Sequence, residues 1–225
     1  MKSYNKKMSL WISTLTFTGA YMNSMALMKY SIPVSHVTGN WNLSVQGLAN
    51  FNLYNVLSLF DVILSFFFGT VISGIVFSNK KFIFNKISEN YLKGLGIALF
   101  ITTMALSEEN SFMYIVAIIT GMQNGMFITY RNVTCRTTHL TGLTTELGTQ
   151  IGMIVNGKAD FDRIRFAVVN ILMAVLGIVL SVKIYGIFGM KGFYFASFGY
   201  FFSSYICKKI RIKYFDQWRE SQREV

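Results

Sequence analysis

The two histidines of the chain stand in one repeated phrase, SHVTGN at Ser35–Asn40 and THLTGL at Thr138–Leu143, each just beyond a long apolar stretch. Past the second histidine, helical spacing sets His139, Gly142, Glu146 and Gln150 along one side. That side carries an imidazole, a bare backbone patch, a carboxylate and an amide. Such a set can hold a small polar solute and pass protons, with Glu146 and His139 as a coupling pair. The bland alternative is a polar seam whose members satisfy one another between packed helices. Upstream the echo continues, with Thr18-Gly19 and Asn23 in one half answering Thr120-Gly121 and Asn124 in the other after single-residue slips. A duplicated polar motif inside apolar sequence is a common beginning for transporters.

The motifs predict two short helices whose N-terminal ends, at Thr38–Asn40 and Thr141-Gly142, meet in a shared cavity. Helix N-termini favour anions, and Arg136 and His139 add positive character. The binding candidates are therefore His36, Thr38, Gly39, Asn40, Asn124, Arg136, His139, Thr141 and Gly142, with a small anion or carboxylate-bearing solute as the preferred class. Thr38-Gly39 and Thr141-Gly142 are expected to make the tightest backbone approach, since glycine allows contact that a Cβ obstructs. Asp61 joins Glu146 as a second candidate for proton coupling, because an acid roughly 10 Å inside an apolar span needs a reason to be there.

The elements that must position these residues are membrane helices. Apolar residues make up 52% of the chain and aromatics 16%, with one proline and a mean hydropathy of +0.43, more than a soluble domain of this length would expose. Six apolar stretches follow: Leu10–Met28, Leu53–Asn79, Gly94–Leu106, Ser111–Tyr130, Phe166–Val182 and Gly192–Cys207. The third is short against the ~20 residues a span requires, so it must borrow from Ile87–Lys93 or from the turn at Ser107–Asn110.

Lysine and arginine stay cytoplasmic during insertion. With the N-terminus inside and six crossings, 18 of the 21 basic residues face the cytoplasm, and only Lys29, Lys183 and Lys191 lie outside, beside the acidic turn Glu108-Glu109. Counting the motifs as two further crossings would turn nine basic residues outward, including the whole Lys80–Lys93 loop. Six crossings place three in each half, so the halves are inverted repeats: residues 1–110, residues 111–207, and a basic tail at 208–225. The motif segments then re-enter as broken helices, the first from outside and the second from inside. Pro33 marks the first break, and Thr38, Gly39 and Asn40 are expected to cap the helix that follows. On the second short helix the stripe Leu140, Leu143, Leu147, Ile151 and Ile154 is expected to pack while the polar side is wet.

The remaining features exclude more than they add. Gly121-x-x-x-Gly125 and Gly148-x-x-x-Gly152 mark close helix contact. Cys135 and Cys207 fall near the reducing cytoplasmic face, where a structural disulfide is not expected. No HExxH, CxxC, nucleophile elbow or phosphate loop is present, so neither a metal, a cofactor nor an enzyme is expected. The net charge of +11 comes from inside-facing loops and the tail Lys208, Lys209, Arg211, Lys213, which suits anionic lipid rather than nucleic acid. The N-terminus imitates a signal peptide, with Ser24-Met25-Ala26 as a cleavage-like site, and is read as retained because its counterpart lies mid-chain.

GMQNG at Gly121–Gly125, Arg131, RTTHLTGLTTELG at Arg136–Gly148 and the earlier HVTGN together resemble the YoaK-type family of bacterial membrane proteins, which is named as a domain of unknown function. The resemblance covers nearly the whole chain and implies a multi-pass bacterial membrane protein; with the charge placement, the expected location is the inner membrane with both termini cytoplasmic. It also implies an acidic residue where Glu146 stands. Tyr21-Met22-Asn23 departs from the family, whose members tend to carry an acidic or small residue there. The resemblance supplies no substrate. The expected function is a small-solute transporter or channel surrounded by lipid and able to assemble with copies of itself. A non-transporting scaffold, or an intramembrane enzyme using His139 and Glu146, are the rival classes.

Overall fold

Long apolar stretches without proline become helices, and each break has a local cause. The computed structural model describes residues 2–50, 53–77, 84–126, 128–130 and 133–213. Helix α1 (Lys2–Tyr30) stops where Ser31 turns to φ 55°, with Pro33 just beyond to prevent continuation. Then come α2 (Val37–Ala49), α3 (Leu53–Val76), α4 (Lys86–Leu106) and α5 (Phe112–Gly125). A two-residue antiparallel hairpin, β1 (Thr129–Tyr130) with β2 (Val133–Thr134), leads into α6 (Leu140–Ile154). Helix α7 (Phe161–Phe188), a tight turn at Gly189–Gly192 and α8 (Phe193–Arg211) complete an essentially all-α fold. Asn85 caps α4 by accepting from the Ser88 amide, and Asp160 caps α7 by accepting from those of Asp162 and Arg163. The third apolar stretch borrows N-terminally, as α4 begins at Lys86. The fourth is cut short: α5 ends at Gly125 after 14 residues, and Met126 is extended. Lys80, Lys81, Arg131 and the tail beyond Lys213, all used in the charge count, lie outside the described residues.

The packing repeats itself. Helix α1 runs along α7, and α3 along α5; α2 rests on α3, and α6 on α7; α4 pairs with α8. Exchanging the first four helices for the last four maps this set of pairs onto itself. The correspondence reaches single atoms. A Cβ on Gly69 of α3 would meet the Ile118 carbonyl oxygen and lie 2.8 Å from the Met122 nitrogen. One on Gly177 of α7 would lie 2.5 Å from the Phe17 oxygen and 3.2 Å from the Tyr21 nitrogen. Each long crossing is thus built on one glycine set against an i, i+4 carbonyl and amide of the partner helix.

Gly121 and Gly125 also abut α3, at the Phe66 backbone and at Ser73. Gly148 and Gly152 face open space, so the second small-residue pair marks no contact. Gly39 is equally open, and the three atoms nearest a Cβ on Gly142 all belong to its own His139, with Nδ1 at 2.7 Å. The closest backbone approaches therefore belong to Gly69, Gly121 and Gly177, not to the motif glycines.

Apolar side chains cover the outside. Among the described residues, Val56–Val76 and the run Phe161–Arg211 are long and apolar enough to cross a bilayer. The few residues that the short helices bury are polar, while large apolar side chains stand exposed beside polar ones. Helix α2 buries Asn40 and Ser44 and exposes Trp41, Leu43, Val45 and Leu48. Helix α6 buries Gln150 and exposes Ile151, Met153 and Ile154. This corrects the expected sense of the α6 stripe: its C-terminal part faces outward, as it would in a medium that does not repel hydrocarbon.

The glycine geometry yields the first prediction. Gly69→Ala and Gly177→Ala should each destabilise the detergent-solubilised protein by about 1–3 kcal/mol through overpacking against rigid backbone, read as a fall in thermal unfolding midpoint. Gly39→Ala and Gly148→Ala should leave it unchanged or slightly higher. Equal effects at all four positions would contradict the crossing geometry.

Candidate functional site

Each motif is held by an asparagine on the preceding helix. Asn23 near the end of α1 accepts from the Ser35 amide at 3.0 Å and from the Ser35 hydroxyl at 2.9 Å. Asn124 near the end of α5 accepts from the Thr138 amide at 3.3 Å and donates to the Thr138 hydroxyl. Ser35 and Thr138 each precede the motif histidine, so both breaks are clamped at the same place. The histidines take the same role as well. His36 is the N-cap of α2 with φ −92°, ψ 64°, and His139 is the N-cap of α6 with φ −94°, ψ 73°.

The expected cap at Thr38–Asn40 is therefore displaced by one turn: these residues lie inside α2, and Asn40 instead donates from Nδ2 to the Pro33 carbonyl at 2.7 Å. Neither imidazole bonds to its helix's first-turn amides, so these donors carry no side-chain cap.

The two N-termini converge on one open cleft of about 720 Å³. Ser35, His36, Thr38 and Gly39 line it from the first motif, and Arg136, Thr138, His139 and Thr141 from the second; Asn124 and Gly125 of α5 and Phe66 and Thr70 of α3 form the floor. Burial holds the His36 imidazole below its ordinary pKa, and the charge of the nearby His139 imidazole adds a smaller push the same way. Arg136 is anchored from Nη1 to the Asn124 carbonyl and stays exposed to the cleft.

A smaller cavity of about 180 Å³ lies behind the second motif, beside α1, α6 and α7. Arg136 and His139 line both cavities, whereas Gly142, Glu146, Cys135 and Arg163 line the smaller one. The Glu146 carboxylate pairs with Arg163 Nη1 at 3.4 Å and accepts from Gln150 Nε2 at 3.2 Å. Its ion-pair partner is thus Arg163 rather than His139, because Arg163 rises from the first turn of α7 to meet it. Arg163 Nε also lies 3.7 Å from Asp160.

Of the expected residues, His36, Thr38, Gly39, Asn124, Arg136, His139 and Thr141 meet in the cleft, while Asn40, Gly142 and Glu146 do not line it. Asp61 sits on an exposed part of α3 and borders neither cavity. Gln123 is the residue that sequence reasoning passed over. Fully buried, it donates to the Leu15 carbonyl at 2.9 Å and to Thr137 Oγ1 at 2.6 Å, and accepts from the Tyr200 hydroxyl at 2.6 Å. One amide thereby ties α1, α8 and the second motif to α5. Its signal was an amide adjacent to the repeated asparagine within an apolar helix. Among the described residues, no group of three or more His, Cys, Asp or Glu side chains is placed to hold a metal.

The fold and site together are those of an apolar helical protein built around two clamped, interrupted helices. The chain matches the family described as "Protein of unknown function (DUF1275)" over residues 11–206, most of its length, and belongs to it. No curated protein and no solved structure matches the chain.

The clamps give the second prediction. Asn124→Ala leaves the buried Thr138 amide without its acceptor and should cost about 1–3 kcal/mol, with Asn23→Ala acting similarly at Ser35. Thermal unfolding in detergent checks it, and an unchanged midpoint for both variants would show that the asparagines do not hold the motifs.

Proposed function

We propose that this chain is a small-solute transporter or channel whose solute occupies the cleft between two inverted repeats. The observation that carries the reading is the convergence of both motif helices, N-terminus first, on one cleft. Helices of 13 and 15 residues direct their positive ends there, and Arg136 adds a full charge. The solute class is accordingly a small anion or a solute bearing a carboxylate. In this reading α1, α3, α4, α5, α7 and α8 cross the bilayer, α2 and α6 re-enter from opposite sides, and both termini are cytoplasmic. The self-mapping pairs of helices and the matched glycines at Gly69 and Gly177 support the repeat. The outward apolar faces of α2 and α6 support their position within lipid, where interrupted backbone is tolerated only against protein or water. Glu146 and Arg163 are then the groups whose pairing could respond to protons, in place of Glu146 and His139.

Reconstitution into proteoliposomes tests the proposal. Counterflow of small carboxylates and inorganic anions should exceed that of empty vesicles. Arg136→Gln should reduce it about tenfold or more, the scale of one charge-assisted hydrogen bond, and Asp61→Asn should leave it unchanged. No flux by folded protein, or full flux by Arg136→Gln, would overturn the assignment.

A further inference from the structure

The two cavities share a wall. Arg136 and His139 stand between the cleft and the smaller chamber. From His139 the chamber follows α6 for two turns, about 10 Å at 1.5 Å per residue, and ends at Glu146. There the carboxylate bridges to Arg163 on α7 at 3.4 Å, with each of the two side chains 30% exposed. Both side chains line the chamber while reaching solvent, on the side where α6 turns into α7 through Lys158. Nothing else in the reading of the cleft requires a charged pair at that point, and the equivalent position to Glu146 in the first motif helix is Leu43.

We infer that the smaller chamber is a second station for the solute on the cytoplasmic side of the cleft, and that the Glu146–Arg163 pair is its outlet gate. The inference rests on the transport reading for the identity of the traveller, but the gate itself does not. The chamber suits an anion of few atoms, because its volume is a quarter of the cleft's and Arg136, His139 and Arg163 all border it. An arriving anion competes with the Glu146 carboxylate for the Arg163 guanidinium, which Asp160 holds at the start of α7, and so loosens the bridge between α6 and α7 when the chamber is occupied. The gate is thus opened by the species it retains, and closes again when Glu146 recovers its partner.

Cys135 lines the chamber and serves as a reporter that needs no known substrate. The full chain carrying Cys207→Ser is placed in inside-out membrane vesicles and treated with a small anionic methanethiosulfonate. Glu146→Gln and Arg163→Gln should each raise the rate of Cys135 modification about two- to fivefold, the population shift from losing a partly exposed ion pair. The two variants remove charges of opposite sign. A purely electrostatic effect on the thiol would speed one and slow the other, whereas an opened outlet speeds both. Parent-like elution of both single variants on size-exclusion chromatography in detergent separates gating from misfolding. Opposed changes, or no change in either single variant, would overturn the gate. Absent counterflow with both rates raised would instead fail the transport reading and leave the gate standing.

Discussion

A helix interrupted in apolar surroundings frees backbone groups that no solvent will satisfy, and most of the internal polar chemistry here answers that demand. Asn23 and Asn124 exist in their present places because Ser35 and Thr138 have amides to be paired. Gln123 exists in its place because the second break also needs Thr137 held against α1 and α8. Once the breaks are paired, two helix N-termini can stand open to a cleft without unravelling. The glycine crossings at Gly69 and Gly177 then fix how near those two ends come, since they set α3 against α5 and α7 against α1 at backbone contact.

The halves share a frame but not a charge pattern. Aligned on His36 and His139, Arg136 answers to Pro33, Glu146 to Leu43 and Gln150 to Gly47. Gln123 answers to Met22 when the helices are aligned on Asn23 and Asn124. Every acid or arginine lining these two cavities comes from the second half. A clamping asparagine, a cap histidine and a crossing glycine recur in both halves, and the acids, lysines and arginines at the cavities stand in the second alone. In the proposed transport role, a symmetric frame with charge on one side only makes the two legs of a solute's route energetically unlike.

Much of the frame was readable before any coordinates, for physical reasons. Long apolar runs without proline have little choice but helix, and a repeated His-x-Thr-Gly phrase marked both short helices, with the start of α2 expected about one turn late. The errors share a cause as well. A glycine in a motif looks like close contact, yet Gly39 faces open space, while Gly69 and Gly177 sit in ordinary apolar sequence and carry the real approaches. Spacing along α6 suggested His139 for Glu146, but the better partner arrived from another helix. The slips that blur the repeat, between Asn23, His36 and their counterparts, resolve only when the clamps are seen to coincide. Sequence periodicity reports neighbours on one element; it does not report what a second element brings.

The central claim is that the two motif histidines face each other across one cleft within a single chain. Cross-linking tests it most directly, using His36→Cys with His139→Cys in a chain also carrying Cys135→Ser and Cys207→Ser, in native membranes, with a short bifunctional methanethiosulfonate. An efficient intramolecular link should form between positions 36 and 139 and be lost when either cysteine is absent. Ready modification of each cysteine singly with no link between them would contradict it.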